Sequence, residues 1–112
     1  RIYCTLPLYH ASGGMMALSA CFQSGCTMVL RRKFSVTQFP RDVAIHKCTV
    51  VQYIGELARY LCTAPSCPLD GSWPIKYAIG NGLRPEVWEK FMRRYNVAKV
   101  VEFYAATEGN TN

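Results

Sequence analysis

Five short runs rich in β-branched and aromatic residues recur along this chain, at residues 1–6, 27–30, 48–54, 76–79 and 99–104. A stretch with helical periodicity separates each from the next. This alternation is the strongest constraint on the fold. Near-continuous apolar strands divided by helices predict a parallel sheet covered on both faces. Right-handed crossovers then make it a doubly wound, flavodoxin-like α/β sheet of five strands and four helices.

The helical stretches carry their own signals. Residues 15–24 are apolar nearly all round, which predicts a buried helix, and Gly25 stands where a terminator belongs. In the stretch 35–47, Ser35 and Gln38 fit a capping box, but Pro40 would then fall inside the helix and cost a bond. A later start, with Thr37 as cap and Pro40 in the first turn, is the preferred reading. Residues 56–63 place Leu57, Ala58 and Leu61 on one face. Residues 64–74 hold three prolines with Ser66, Asp70, Gly71 and Ser72, and read as a loop. Gly80-Asn81-Gly82 reads as a turn. A helix follows with Pro85 near its first position and a stripe of Val87, Trp88, Phe91, Met92 and Tyr95.

Composition limits what such a domain does. At 112 residues the chain is at most one domain. It starts at Arg1 without Met, which points to a piece of a longer protein. The apolar stretch 15–30 is interrupted by Ser19, Gln23, Ser24, Gly25 and Thr27, so no membrane-spanning helix is expected in this window. A net charge of +6 reads as a solvated or anion-facing surface. Nucleic acid is not expected as a partner, since no aromatic-interleaved or zinc-finger pattern accompanies that charge. Six cysteines without a C-x-x-C pair, and only two histidines, argue against structural zinc. They predict free thiols in a reducing compartment.

In parallel sheets, ligands bind beyond the carboxyl ends of the strands. Three such ends carry chemistry: Pro7 to Gly14, which includes His10; Gly80-Asn81-Gly82-Leu83-Arg84-Pro85; and Ala105-Ala106-Thr107-Glu108-Gly109-Asn110. Thr107 offers a hydroxyl to a phosphoryl oxygen. Glu108 offers a hard oxygen suited to Mg²⁺, which takes one or two carboxylates plus substrate phosphates. Gly80 and Gly82 allow close backbone approach to a ligand, and the flat face of Tyr104 could stack on a base. Taken alone, these residue types more often serve simpler roles: a Thr-Glu helix cap, an ordinary Gly-Asn-Gly turn, a packed or capping His10. From the residues, the reading stops at a parallel α/β domain with an anionic ligand at its strand ends.

The segment from Tyr104 to Asn110 resembles the Tyr-Gly-x-Thr-Glu motif of adenylate-forming (AMP-binding) enzymes, and Leu6-Pro7-Leu8-Tyr9-His10 resembles a segment upstream of it in that family. More narrowly, VVQYIGELARYL, GNGLRPEVWEKF and EFYAATEGN are similar to the fatty acid transport protein and very long-chain acyl-CoA synthetase branch. The resemblance covers the whole chain and implies a central fragment, residues 1–112, of an AMP-binding N-terminal domain. It implies a ligase working in two steps, with ATP, Mg²⁺ and CoA. A long-chain fatty carboxylate attacks the α-phosphate of ATP, and CoA thiolate then displaces AMP. Tyr104 would stack on adenine, Thr107 would bond the α-phosphate, and Glu108 would hold the metal. Gly80, Asn81, Gly82, Leu83 and Ala105 would line the nucleotide and acyl pocket, with His10 as a gate.

The resemblance further implies membrane association through other parts of the parent, with a catalytic face toward the cytosol at endoplasmic reticulum, plasma membrane or peroxisome, and a possible homodimer. Two alternatives stay open: a component working mainly in fatty acid transport, and a non-catalytic flavodoxin-like nucleotide-binding module. Ala105 departs from the family's usual glycine, and Pro40 interrupts a helix that is usually whole. The phosphate loop with its lysine, the ribose-binding aspartate and the C-terminal domain have no counterpart in these residues, so the isolated segment is expected to be inactive.

Overall fold

A computed structural model describes residues 1–106 and Gly109. Five strands form one sheet: β1 (Ile2–Cys4), β2 (Met28–Leu30), β3 (Val50–Ile54), β4 (Ile75–Asn81) and β5 (Val97–Glu102). Their order is β2-β1-β3-β4-β5, and every pairing is parallel. This is the doubly wound, flavodoxin-like order expected from the alternation of elements.

The helices refine that expectation. A π-helical segment, Ala11–Leu18, runs directly into α1 (Ser19–Ser24), so the first helix begins four residues earlier than the apolar run implies. Gly13 and Gly14 permit this start. A Cβ on Gly13 would overlap the Pro7 carbonyl oxygen, and one on Gly14 would overlap that of Leu8. The loop is folded tightly back on the helix it feeds. Gly25 terminates α1 at φ 67°, as its position implies.

α2 (Phe39–Ile45) starts after Pro40's would-be conflict is removed: Pro40 sits in the first turn, where its missing N–H costs nothing. The cap position falls on Gln38 rather than Thr37, and no side chain caps it. α3 spans Gly55–Thr63 and α4 spans Pro85–Arg94.

One face of the sheet holds the main core. Phe39 and Val43 from α2, Ala58 and Leu61 from α3, and Val87 and Phe91 from α4 pack there against Tyr3, Val51, Tyr53 and Ala78. An unbroken chain of rings crosses this layer: Tyr3–Phe39 at 5.5 Å, Phe39–Tyr95 at 5.2 Å, Tyr95–Phe91 at 5.7 Å and Phe91–Tyr53 at 5.9 Å. Such edge-to-face and tilted contacts suit the ring quadrupole. The irregular 64–74 segment is held by Arg94, which donates to Asp70 at 2.9 Å, Ala64 O at 2.7 Å and Pro65 O at 2.8 Å.

The opposite face is covered less than expected. A small cluster of Cys4, Leu6 and Ala17 seats the first helix over β1. Most of that helix faces outward, with Met15 73% and Phe22 81% exposed, and Tyr77 on β4 is 44% exposed. An all-round apolar helix therefore lies on the surface of these residues rather than inside them, because a single layer covers only one side of it. Among the described residues, no helix is long and apolar enough to cross a membrane.

The three core tyrosines end in hydrogen bonds. Tyr3 donates to Asp42 at 2.9 Å, Tyr53 to Glu102 at 2.8 Å and Tyr95 to Leu61 O at 3.0 Å. Burial, reinforced at Tyr3 and Tyr53 by the adjacent carboxylate, pushes all three phenols well above their ordinary value of 10.0. Below that value the phenols are protonated folded or unfolded, so they add no pH dependence. Above it only the unfolded chain releases the protons, and stability drains away as pH rises. Urea midpoints followed from about pH 8 to about pH 11 should fall beyond about pH 10, and Tyr53→Phe should make the fall shallower. A flat midpoint across that window contradicts this account.

Candidate functional site at the carboxyl edge of the sheet

Parallel pairing delivers every strand to the same edge, and there the segments singled out from sequence come together. A cavity of about 430 Å³ is lined by Tyr9, His10, Ser12 and Met15 from the end of β1, by Asn81 from β4, and by Phe103 and Ala105 beyond β5. A second cavity, of about 540 Å³, shares Asn81, Phe103 and Ala105 and adds Gly82, Glu102 and Tyr104. His10, Asn81, Gly82, Tyr104 and Ala105 thus bound two adjoining hollows in the size range of small-molecule sites.

 The two hollows share a wall of Asn81, Phe103 and Ala105.

The local reasons for this placement differ from residue to residue. Gly80 and Asn81 belong to β4 rather than to a turn, and the chain turns at Gly82. Gly80 is buried beneath the site. A Cβ there would overlap the Tyr53 carbonyl oxygen and come within 2.9 Å of the Tyr53 ring. Its lack of a side chain thus serves strand packing. Gly82 has φ 70°, the left-handed region, and its carbonyl lies where a Cβ on Gly55 would stand. Leu83 points its side chain into the core at 6% exposure, so it supports the pocket without lining it. Tyr104 follows β5, which ends at Glu102, and is 67% exposed. Thr107 and Glu108 lie outside the described residues.

Two residues that the sequence reading passed over hold the site together. Gln52, buried on β3, donates from Nε2 to the Ser12 carbonyl at 2.5 Å and so ties the His10 loop to the sheet. Glu102 accepts from the Tyr53 hydroxyl at 2.8 Å and from the Leu83 amide at 2.7 Å. For Gln52 the available signal was a polar residue inside an otherwise apolar strand, which needs a partner when buried; Glu102, exposed at the end of β5, carried no such signal.

An open parallel sheet with hollows at its carboxyl edge is the class of α/β domain that binds ligands at its strand ends. The AMP-binding enzyme family matches residues 1–112, and the chain belongs to that family. It is 50% identical to long-chain fatty acid transport protein 2 of Rattus norvegicus and 48% identical to long-chain fatty acid transport protein 1 of Bos taurus, each over 97% of this chain. It spans 18% and 17% of the length of those two proteins. Unliganded O-succinylbenzoate coenzyme A synthetase from Bacillus subtilis matches 96% of this chain with 23% of its own, at TM-score 0.75 and 27% identity. ATP-bound MatB from Rhodopseudomonas palustris matches 99% of this chain with 22% of its own, at TM-score 0.80 and 21% identity, a likeness of fold.

The two glycines of the β4 end should respond differently to a methyl group. Gly80→Ala meets fixed backbone and should cost about 3 kcal/mol or more. Gly82→Ala has room, with Gly55 N 4.0 Å away. It should cost only the left-handed strain, about 1–2 kcal/mol. Denaturant unfolding of both variants checks the order, and equal losses would contradict it.

Proposed function

We propose that this chain forms part of the nucleotide- and acyl-binding face of an ATP-dependent long-chain fatty acid:CoA ligase, as a central piece of its AMP-binding N-terminal domain. The observation that carries this reading is the convergence of His10, Asn81, Gly82, Tyr104 and Ala105 on adjoining hollows in a member of the AMP-binding family. Tyr104, exposed beside the second hollow, would stack on adenine. Thr107 would donate to the α-phosphate, and His10 would gate the passage from acyl tunnel to nucleotide.

Glu108 would hold Mg²⁺. Its carboxylate is a hard oxygen donor, and Mg²⁺ bound mainly through substrate phosphates needs no cage of protein ligands. Among the described residues, no group of three His, Cys, Asp or Glu is gathered to form such a cage. When bound, the metal would neutralise phosphate charge, while the chain's own groups position the nucleotide. CoA would enter as the second substrate. Membrane association, a cytosol-facing site and a homodimer are further parts of this reading and belong to the whole protein.

In the full-length protein, Glu108→Ala should lower acyl-CoA synthesis from ATP, a long-chain fatty acid and CoA by ~10²-fold or more. Unchanged synthesis would sink the assignment. The relatives' names as fatty acid transport proteins favour a second reading, in which uptake is the main role. Fatty acid uptake measured in the same variant separates the two: uptake that survives loss of ligation makes transport independent of the chemistry.

A further inference from the structure

We propose that Glu102 is a positioning residue, clasping the turn after β4 to the end of β5 so that the nucleotide-facing loops keep one geometry. The proposal rests on the nucleotide-binding reading above and adds a residue to it.

The clasp follows from strand register. Tyr53 on β3 pairs with Gly80 on β4, and Gly80 pairs with Glu102 on β5. Directly paired residues of neighbouring strands put their side chains on the same face. Gly80 has no side chain, so the Tyr53 ring lies across it and its hydroxyl reaches Glu102 Oε1 at 2.8 Å. The same oxygen accepts the Leu83 amide at 2.7 Å, one residue beyond the left-handed Gly82. Phe103 N donates to Gly80 O at 3.0 Å and closes the ladder beside them.

The groups held this way lead straight into the second hollow, where Asn81 and Gly82 face Tyr104 and Ala105. Removing the carboxylate leaves a phenol and an amide without their acceptor. The turn then loses its tie to β5, and the two walls of the hollow can separate. A glutamine retains the Oε1 acceptor for both donors, so the clasp depends on an acceptor at that position more than on charge.

The test uses the full-length protein with Glu102→Ala, Glu102→Gln and Tyr53→Phe. Two quantities are read: hydrogen exchange at the Leu83 amide and the Kd for AMP by calorimetry. Glu102→Ala should lose protection at Leu83 and weaken AMP about tenfold, while Glu102→Gln stays within about threefold of the parent. Tyr53→Phe keeps the Leu83 bond, so it should retain protection and serves if Glu102→Ala does not fold: an AMP loss in it as large as tenfold, or loss of Leu83 protection, would overturn the clasp as drawn. The proposal is also overturned if Glu102→Ala leaves Leu83 protected, if it loses protection with an unchanged AMP Kd, or if Glu102→Gln behaves like the alanine variant. Pyrophosphate exchange on the parent separates the two readings. A parent that binds AMP but makes no adenylate defeats the ligase reading and leaves the clasp standing, whereas a parent that binds no AMP defeats both.

Discussion

Strands that all run one way must each return to the same starting edge, so the loops that follow them gather at the other. The β3–β4–β5 ladder enforces this with a register that keeps Tyr53, Gly80 and Glu102 abreast. The β4–β5 side of the carboxyl edge depends on that row. It sets where β4 can end, and it leaves the Leu83 amide facing an acceptor on β5.

Close packing and the hollows come from the same constraint. Gly80 against Tyr53 and Gly55 against the Gly82 carbonyl bring backbone to backbone with no side chain between them. Space not used there opens farther out, between Asn81 and the residues after β5. On the β1 side, Gly13 and Gly14 let the His10 loop fold back on its own helix, and Gln52 pins that loop to β3. The edge is thus framed from four strands by short-range contacts, most of them to backbone atoms.

The fold was largely legible because periodicity reports burial. The stripe on α4 did mark its packed face: Val87, Phe91 and Tyr95 are buried, and Trp88 and Met92 pack beside them. Pro40 marked the start of α2 to within a residue. What misled was hydrophobicity without direction. The first helix is apolar on all sides, but composition does not say how many neighbours cover it, and Met15 and Phe22 stand exposed. The site was legible as segments rather than contacts. His10, Asn81 and Tyr104 were placed at one edge by topology alone, whereas Gln52 and Glu102 act through pairings far apart in sequence. Gly80 was read as allowing close approach of a ligand, and the contact that the structure shows for it is the one with Tyr53.

Ala105 shows how such a departure is weighed. A methyl in place of the family's usual glycine raises two separate concerns, strain and space. Strain arises where φ is positive, and among the described residues the non-glycine positions of that kind are Lys47 and Asn96. Ala105 is not one of them, so its backbone conformation is open to any L-residue. Space is the remaining concern, because Ala105 lies on the wall common to both hollows. The residue at that place therefore bears on the shape of what fits there rather than on whether the turn can form.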